Sequence, residues 1–367
     1  MGIYENRLIR LDFGEPSFPC PPEAKAESIK YISSPNCQYA PIKGDRELIF
    51  KIKTHLQEQY SIQIDEQYVT ITTGGLMGLN AIIRCLKNNG ITKVYYPNPG
   101  FPPYQFMGHY NGINMEPYPM VEEEQAIRQL CLLAKESPMG KTAFLITSPN
   151  NPNGLTFSRD SWDLLLEAMD KHFIICDHSF ESFIFHSQKQ VTIPLRENVF
   201  HAFSFSKTYS LADYRVGYVI SPSLFWSEEI SREHWFSQLS TSVISQKAAL
   251  GALNSPQDYK IKNKRMVLKN IQKTIDLLRA SDIEISRPDG GFFLWINIEK
   301  TGLSSEKFVE VALVHYKLSL ISGANFGSEG EGYIRINCAA DPVSLQEGIS
   351  RFITCYNERL KKYEYTL

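Results

Sequence analysis

The chain has 367 residues, of which 43% are hydrophobic and 21% are charged, and its formal net charge is −2. This length favours two domains of a globular protein over one small core. The near-neutral charge excludes a broad basic surface of the kind that binds nucleic acid or an anionic membrane. The seven cysteines are odd in number and form no CxxC pair, which indicates reduced thiols and a cytoplasmic location. No apolar run reaches membrane-spanning length.

Two segments near the N-terminus are rich in turn-forming residues. Leu11–Pro19 contains Gly14 and two prolines, and it is predicted to be an extended loop. The segment from Tyr39 to Leu48 carries a proline and a glycine before an apolar pattern, which predicts a loop that opens a helix.

A strand, a glycine turn and a helix are predicted next. Tyr68–Thr72 alternates like a strand, and helical periodicity runs over Leu76–Leu86. Free N–H groups at a helix N-terminus attract anions, and glycines let a ligand approach the backbone closely. The amides of Gly75 and Leu76 are therefore predicted to bind a phosphate group.

Three further apolar strands each end in a distinctive loop. Val94–Tyr96 leads into a proline-rich loop that contains Phe101, and Ala143–Ile146 leads into a polar loop that contains Asn151. Phe173–Cys176 ends at Asp177. The carboxyl end of a strand in an open α/β sheet is a frequent position for an active-site carboxylate, so Asp177 is a candidate active-site residue.

The segment SFSKTYSLADYRVG, residues 204–217, carries a lysine between two strand-like runs. Burial lowers the pKa of a lysine, and a neutral amine forms Schiff bases with aldehydes. The hydroxyls of Ser204 and Ser206 and the guanidinium of Arg215 are suitable phosphate ligands. A lysine that reacts with an aldehyde beside a phosphate site indicates pyridoxal 5'-phosphate as the cofactor, with Lys207 as its attachment point.

The C-terminal third contains helical patterns within Gln238–Leu253 and over Tyr259–Ala280, the second predicted to link two domains. A short strand, Tyr333–Asn337, carries Arg335. Neither an HExxH motif nor a GxSxG motif is present, so no metal site and no serine hydrolase is predicted.

Between about Leu11 and Asn337 these segments resemble, in order, the motifs of the class I/II aminotransferases, which are pyridoxal-phosphate enzymes of fold type I. The resemblance implies an α/β fold with a mostly parallel mixed sheet flanked by helices in a large domain, residues 41–262. It also implies a smaller α/β domain, residues 263–367, which an N-terminal arm, residues 1–40, joins. A homodimer with a shared active site follows from the same resemblance.

The resemblance assigns roles to individual residues. Asp177 would keep the pyridine nitrogen of the cofactor protonated, since an opposite charge favours the charged form. Phe101 would stack on the pyridine ring and Asn151 would donate to its phenolic oxygen. Tyr39 would reach the cofactor phosphate of the neighbouring subunit. The substrate side would comprise Asn151, the segment around Gly14 over the entrance, and Arg335, which would bind the α-carboxylate as a bidentate pair.

The family pattern usually reads D-E-A-Y at residues 177–180 and has glycine at position 213, and three departures from it weaken the ordinary aminotransferase interpretation. His178 and Phe180 replace the Glu and the Tyr, and phenylalanine cannot donate to the phenolic oxygen. Asp213 has two interpretations: a loop carboxylate paired with an arginine, or a contact for a cationic, arginine-like substrate.

Three functions remain open at this point. The first is transfer of an amino group from an α-amino acid to a 2-oxo acid. The second is elimination or dehydration and cyclisation of an arginine-like amino acid, because the same scaffold hosts both outcomes. The third is a non-catalytic cofactor sensor, which the lack of a helix-turn-helix or basic stretch at the N-terminus disfavours.

Overall fold

The computed structural model describes residues 7–35 and 38–364, with side chains to residue 361. The strands, in chain order, are β1 Ile9–Arg10, β2 Val69–Thr72, β3 Lys93–Asn98, β4 Asn114–Pro119, β5 Thr142–Thr147, β6 Phe173–Asp177, β7 Val199–Ser204, β8 Gly217–Ile220, β9 Phe293–Asn297, β10 Leu318–Ser319, β11 Ile321–Ser322 and β12 Tyr333–Asn337.

The helices follow in the same way: α1 Pro22–Ile32, α2 Arg46–Tyr60, α3 Gly75–Asn88, α4 Pro103–Asn111, α5 Glu123–Glu136, α6 Arg159–Ala168, α7 Phe205–Thr208, α8 Leu224–Gln238, α9 Val243–Leu253, α10 Gln257–Arg279, α11 Ser305–Tyr316 and α12 Pro342–Glu364. Among the described helices, none combines the length and apolar composition that a span across a lipid bilayer requires.

The large sheet has seven strands in the order β2-β8-β7-β6-β5-β3-β4. Strands β3 to β7 pair in parallel, whereas β8 runs antiparallel to both of its neighbours. Every residue of β5 is buried, as expected for a strand covered by helices on both faces. The predicted α/β class and mostly parallel mixed sheet are confirmed. The parallel strands place the ends of β5, β6 and β7 at one edge.

A second core surrounds a three-stranded antiparallel sheet of order β11-β12-β9. Residues from both ends of the chain fill this core, with Ile9 and Leu11 packed among side chains from α10, α11 and α12. Strand β1 pairs with β10 in parallel, which ties the N-terminal segment to this part of the molecule. The pairing explains how residues 11–15 reach the carboxyl edge of the large sheet.

The domain limits at 40/41 and 262/263 stay predictions. Residues 1–6, 36–37 and 365–367 lie outside the described residues. The second limit would fall inside α10, a continuous helix from Gln257 to Arg279.

Candidate active site

A cavity of about 370 Å³ lies at the carboxyl edge of the large sheet, against β12 and the N-terminal segment. It brings together six of the residues predicted from the sequence, namely Gly14, Phe101, Asn151, Asp177, Lys207 and Arg335. Their convergence from six separate segments is the geometric basis for treating the cavity as the active site.

Lys207 lies in α7, a single helical turn between β7 and β8. The side chain of Ser204 accepts a hydrogen bond from the Ser206 amide and so begins this turn. The Lys207 amine donates to the carbonyl oxygen of Gly14 at 2.6 Å. Burial, helped by the positive charge of Arg335, lowers the pKa of Lys207 to about 8. A substantial fraction of the amine is therefore neutral in mildly alkaline solution.

Asp177 is buried and holds three hydrogen bonds through its two carboxylate oxygens. Oδ1 accepts from the amide of Ser179 at 2.9 Å and from its hydroxyl at 2.6 Å. Oδ2 accepts from the hydroxyl of Tyr104 at 2.7 Å. Tyr104 was not among the residues predicted from the sequence, although it follows the Phe101 loop and reaches the same edge from α4.

The predicted phosphate turn and Arg215 lie against each other. Gly74 precedes α3 with φ at +80°, and a Cβ at that position would lie 2.7 Å from Nη2 of Arg215. A Cβ on Gly75 would lie 3.3 Å from Cβ of Ser204. Amides at a helix N-terminus, a guanidinium and a serine therefore converge at a turn where the positive φ of residue 74 favours glycine.

Leu76 is the second residue of α3, and its side chain packs against a hydrophobic cluster. It therefore offers a backbone amide to the turn but no side-chain donor. Ser206 is buried and its amide bonds the side chain of Ser204. Both predicted serines therefore lie at the N-terminal end of α7.

Arg335 is buried and held in a cage of aromatic rings and carbonyl groups. Its guanidinium carbon lies 3.9 Å from the ring centre of Phe293 and 4.8 Å from that of Phe326. Nη2 donates to the carbonyl oxygen of Asp12 at 2.8 Å. Burial lowers the pKa of this guanidinium to about 9. Its Nε has no hydrogen-bond partner, so the group retains capacity to bind an anion.

Asn151 links the substrate and cofactor sides of the cavity. Its Oδ1 accepts from Nη1 of Arg335 at 2.7 Å. Because a guanidinium only donates, the oxygen of Asn151 must face Arg335. The amide nitrogen of Asn151 then remains as a donor, as the predicted contact to the phenolic oxygen requires.

Two predicted residues lie elsewhere on the chain. Tyr39 is 81% exposed and is not among the residues that line the cavity. Asp213 is exposed and likewise does not line it. The structure therefore does not bring Asp213 beside Arg335 or Lys207, which removes the geometric support for a substrate contact within one chain.

The two departures from the family pattern at positions 178 and 180 lie in different parts of the structure. Phe180 lines the cavity and packs edge-on against Phe292 and Phe293, with ring centres 5.1 and 5.5 Å apart. His178 lies in the core, where its Nε2 is 2.9 Å from Nδ1 of His201. The ligand atoms of Cys176, His178 and His201 lie within 4.8 Å of one another, but the contact between the two histidines already uses a nitrogen of each ring.

These residues fit pyridoxal 5'-phosphate. Lys207 supplies an amine, the turn before α3 with Ser204 and Arg215 supplies a cradle that a Cβ would fill, and Asp177 supplies a carboxylate. Phe101 and Asn151 border the space between them. A fold and a site of this kind define a pyridoxal-phosphate-dependent enzyme of fold type I.

The family model for aminotransferase class I and II matches residues 6–352, so the chain belongs to that family. An aspartate aminotransferase of Pyrococcus horikoshii is 28% identical over 351 residues, which cover 94% of this chain and 89% of the relative. An arginine–pyruvate transaminase of Pseudomonas aeruginosa is 25% identical over 359 residues, which cover 96% and 91%.

A crystal structure of an aspartate aminotransferase from Thermotoga maritima superposes with a TM-score of 0.87 at 23% identity. The match covers 96% of this chain and 92% of that one, and it shows the shared fold. Together the comparisons identify a pyridoxal-phosphate-dependent aminotransferase. They give no support to the elimination and cyclisation alternative.

The lowered pKa of Lys207 predicts the pH dependence of cofactor uptake. When cofactor-free protein is mixed with pyridoxal phosphate, the rate at which the visible absorbance band appears should rise with pH, with a midpoint near 8, because only the neutral amine reacts. Lys207→Ala should abolish the band. Arg335→Ala should move the midpoint upward, because it removes a positive charge that helps to lower this pKa. Lys264→Ala, a lysine outside the cavity, is the control.

A midpoint near 10.5, the ordinary value for lysine, would contradict this account. So would a normal band in Lys207→Ala.

Proposed function

We propose that this aminotransferase takes its amino group from an α-amino acid with a bulky apolar side chain and passes it to a 2-oxo acid. The observation that carries the proposal is the composition of the cavity wall. Phenylalanines at five positions and two aliphatic residues line it: Phe13, Phe101, Phe180, Phe293, Phe326, Leu320 and Ile321. Burial of apolar surface against such a wall favours an apolar side chain.

The α-carboxylate of the substrate would bind Arg335. A planar guanidinium matches a carboxylate at two points, and the aromatic cage fixes its orientation. When bound, the cofactor supplies an electron sink that stabilises negative charge at Cα. Lys207 then moves the Cα proton, a role for which an amine with a pKa near 8 is suited at neutral to mildly alkaline pH.

Charge disfavours an acidic substrate side chain. Among the described residues of the cavity wall, the cationic side chains are Lys207 and Arg335, and both already have roles. A second carboxylate on the substrate would find no further cation among the described residues of this wall, and it would meet the carboxylate of Glu15 there. Leaving a buried charge unpaired costs several kcal/mol, on the order of 3–5.

The relatives do not decide the substrate. Their names include one enzyme for an acidic amino acid and one for a cationic amino acid. At this level of identity the cavity of this chain is the better guide, because specificity lies in the site and not in the fold.

A panel of amino acids with and without 2-oxoglutarate or pyruvate tests the proposal. Phenylalanine and leucine should give the highest kcat/KM, and aspartate should be lower by at least about tenfold, which corresponds to about 1.4 kcal/mol. Mass spectrometry should show amine transfer only when the 2-oxo acid is present. Aspartate as the best substrate would contradict the proposal, and arginine as the best substrate would show that Glu15 outweighs the apolar wall.

Replacing Arg335 tests the carboxylate site. Arg335→Ala should lower kcat/KM, with a loss of transition-state stabilisation of about 2–5 kcal/mol, because it removes a buried charged pair. Arg335→Lys should recover only part of this loss, since a point charge does not reproduce the guanidinium fork. For amines that lack the α-carboxylate, kcat/KM should fall little in either variant. An unchanged kcat/KM in Arg335→Ala would assign the carboxylate to another residue.

A homodimer with a shared site is the second part of the proposal. Three aromatic side chains are largely exposed, with Tyr39 at 81%, Tyr110 at 80% and Phe236 at 74%. Arg84 bonds Asn111 of α4 and Ser237 of α8, so two of these rings belong to adjoining helices. Exposed aromatic surface of this kind marks protein interfaces, which supports a dimer in which Tyr39 reaches the phosphate of the partner.

Tyr39→Phe and Tyr110→Phe form a matched pair for this proposal, since both remove a hydroxyl from an exposed tyrosine. Both variants should sediment as dimers at assay concentration. Only Tyr39→Phe should weaken pyridoxal phosphate binding, because only its hydroxyl would contact the phosphate. A fully active monomer, or equal cofactor affinity in the two variants, would contradict the shared site.

A further inference from the structure

The hydrogen bonds of Asp177 leave one acceptor position vacant. A carboxylate offers about four lone-pair positions, two on each oxygen. The amide and hydroxyl of Ser179 fill both positions on Oδ1, at 2.9 and 2.6 Å. The hydroxyl of Tyr104 fills one on Oδ2, at 2.7 Å. The carboxylate is therefore fixed in rotation, with a single acceptor position left, on Oδ2, and Asp177 lines the cavity.

We propose that Tyr104 and Ser179 are positioning residues that hold Asp177 so that this last position receives the N–H of the cofactor ring. The inference rests on the pyridoxal phosphate site described above but not on the identity of the amino acid. Both residues act through Asp177, since neither one donates its assigned hydrogen bond to the cofactor.

Tyr104 is suited to this role by its burial. It is 1% exposed, and burial together with the negative charge of Asp177 raises the pKa of its phenol well above the ordinary value. It therefore remains an O–H donor over the working pH range. Its ring also packs edge-on against Phe101, with centres 5.5 Å apart, so one residue braces both the carboxylate and the predicted stacking ring.

Ser179 adds a donor that the family pattern lacks, because that pattern has alanine at this position. The amide and hydroxyl of Ser179 both donate to Oδ1. Together with the hydroxyl of Tyr104 on Oδ2, these three donors fix the orientation in which the carboxylate can accept from the ring N–H.

The test measures cofactor affinity rather than turnover alone. Tyr104→Phe should raise the dissociation constant of pyridoxal phosphate by about 10- to 100-fold, the range expected when a hydrogen bond to a charged group is lost. Tyr118→Phe is the matched control: Tyr118 is equally buried at 1% exposed and its hydroxyl also donates, but to the carbonyl oxygen of Leu145. It should bind the cofactor as the wild type does.

A cofactor analogue with CH in place of the ring nitrogen separates positioning from general loosening. With this analogue the wild type and Tyr104→Phe should bind almost equally, because Asp177 has no N–H to receive. Ser179→Ala should show the same pattern with a smaller effect, and Ser179→Thr should restore binding of the natural cofactor. Thermal unfolding of each variant reports whether the fold is intact.

Two outcomes would overturn the proposal. One is equal loss of affinity in Tyr104→Phe and Tyr118→Phe. The other is a loss in Tyr104→Phe that is as large for the analogue as for pyridoxal phosphate. Failure of the apolar-substrate proposal would leave both measurements unaffected, so the two ideas can fail separately.

Discussion

The burial of two cations in one cavity is the constraint on which the rest of the site depends. Lys207 and Arg335 each lose solvation, and the charge of Arg335 further disfavours the ammonium form of Lys207. The stability of this arrangement depends on neutral acceptors that surround both groups. Asn151 and the rings of Phe293 and Phe326 supply them for Arg335. Removing the two cations from water costs free energy, and the same desolvation lowers the pKa of Lys207 and so produces a reactive amine.

The N-terminal segment supplies the remaining acceptors through its backbone. Arg335 binds the carbonyl of residue 12, Lys207 binds that of residue 14, and the side-chain amide of Asn337 binds those of residues 13 and 15. Four consecutive carbonyls are thus held by side chains of the site. Of these four bonds, the one to Gly14 is made by the Lys207 amine itself. The segment over the cavity is therefore in direct contact with the group that would attach the cofactor.

Sequence reasoning located the residues whose position follows from strand ends. Asp177 and Lys207 adjoin predicted strands, and the parallel sheet brings such ends to one edge. Sequence reasoning did not find Tyr104, because its hydrogen bond to Asp177 joins residues 73 positions apart through the packing of α4. The bond between Asn151 and Arg335 spans 184 positions, and no local pattern encodes it. Of the two interpretations of Asp213, the substrate contact rested on an unusual residue alone, without geometry to place it.

The turn from residue 177 to 180 shows why position in space decides the meaning of an unusual residue. His178 lies in the core and hydrogen-bonds His201 rather than a group of the cavity. Because Nε2 of His201 faces the carbonyl oxygen of Pro194, this nitrogen must donate. Nδ1 of His201 therefore accepts from Nε2 of His178. The histidine that replaces the Glu of the family pattern at position 178 therefore changes the core and not the cavity wall. Ser179 and Phe180 do line the cavity. Relative to that pattern, one hydroxyl is lost at position 180 and one is gained at position 179, where it binds Asp177. The turn thus lacks the donor that the family pattern offers to the phenolic oxygen, and it has a new donor to the carboxylate that we propose pairs with the ring nitrogen.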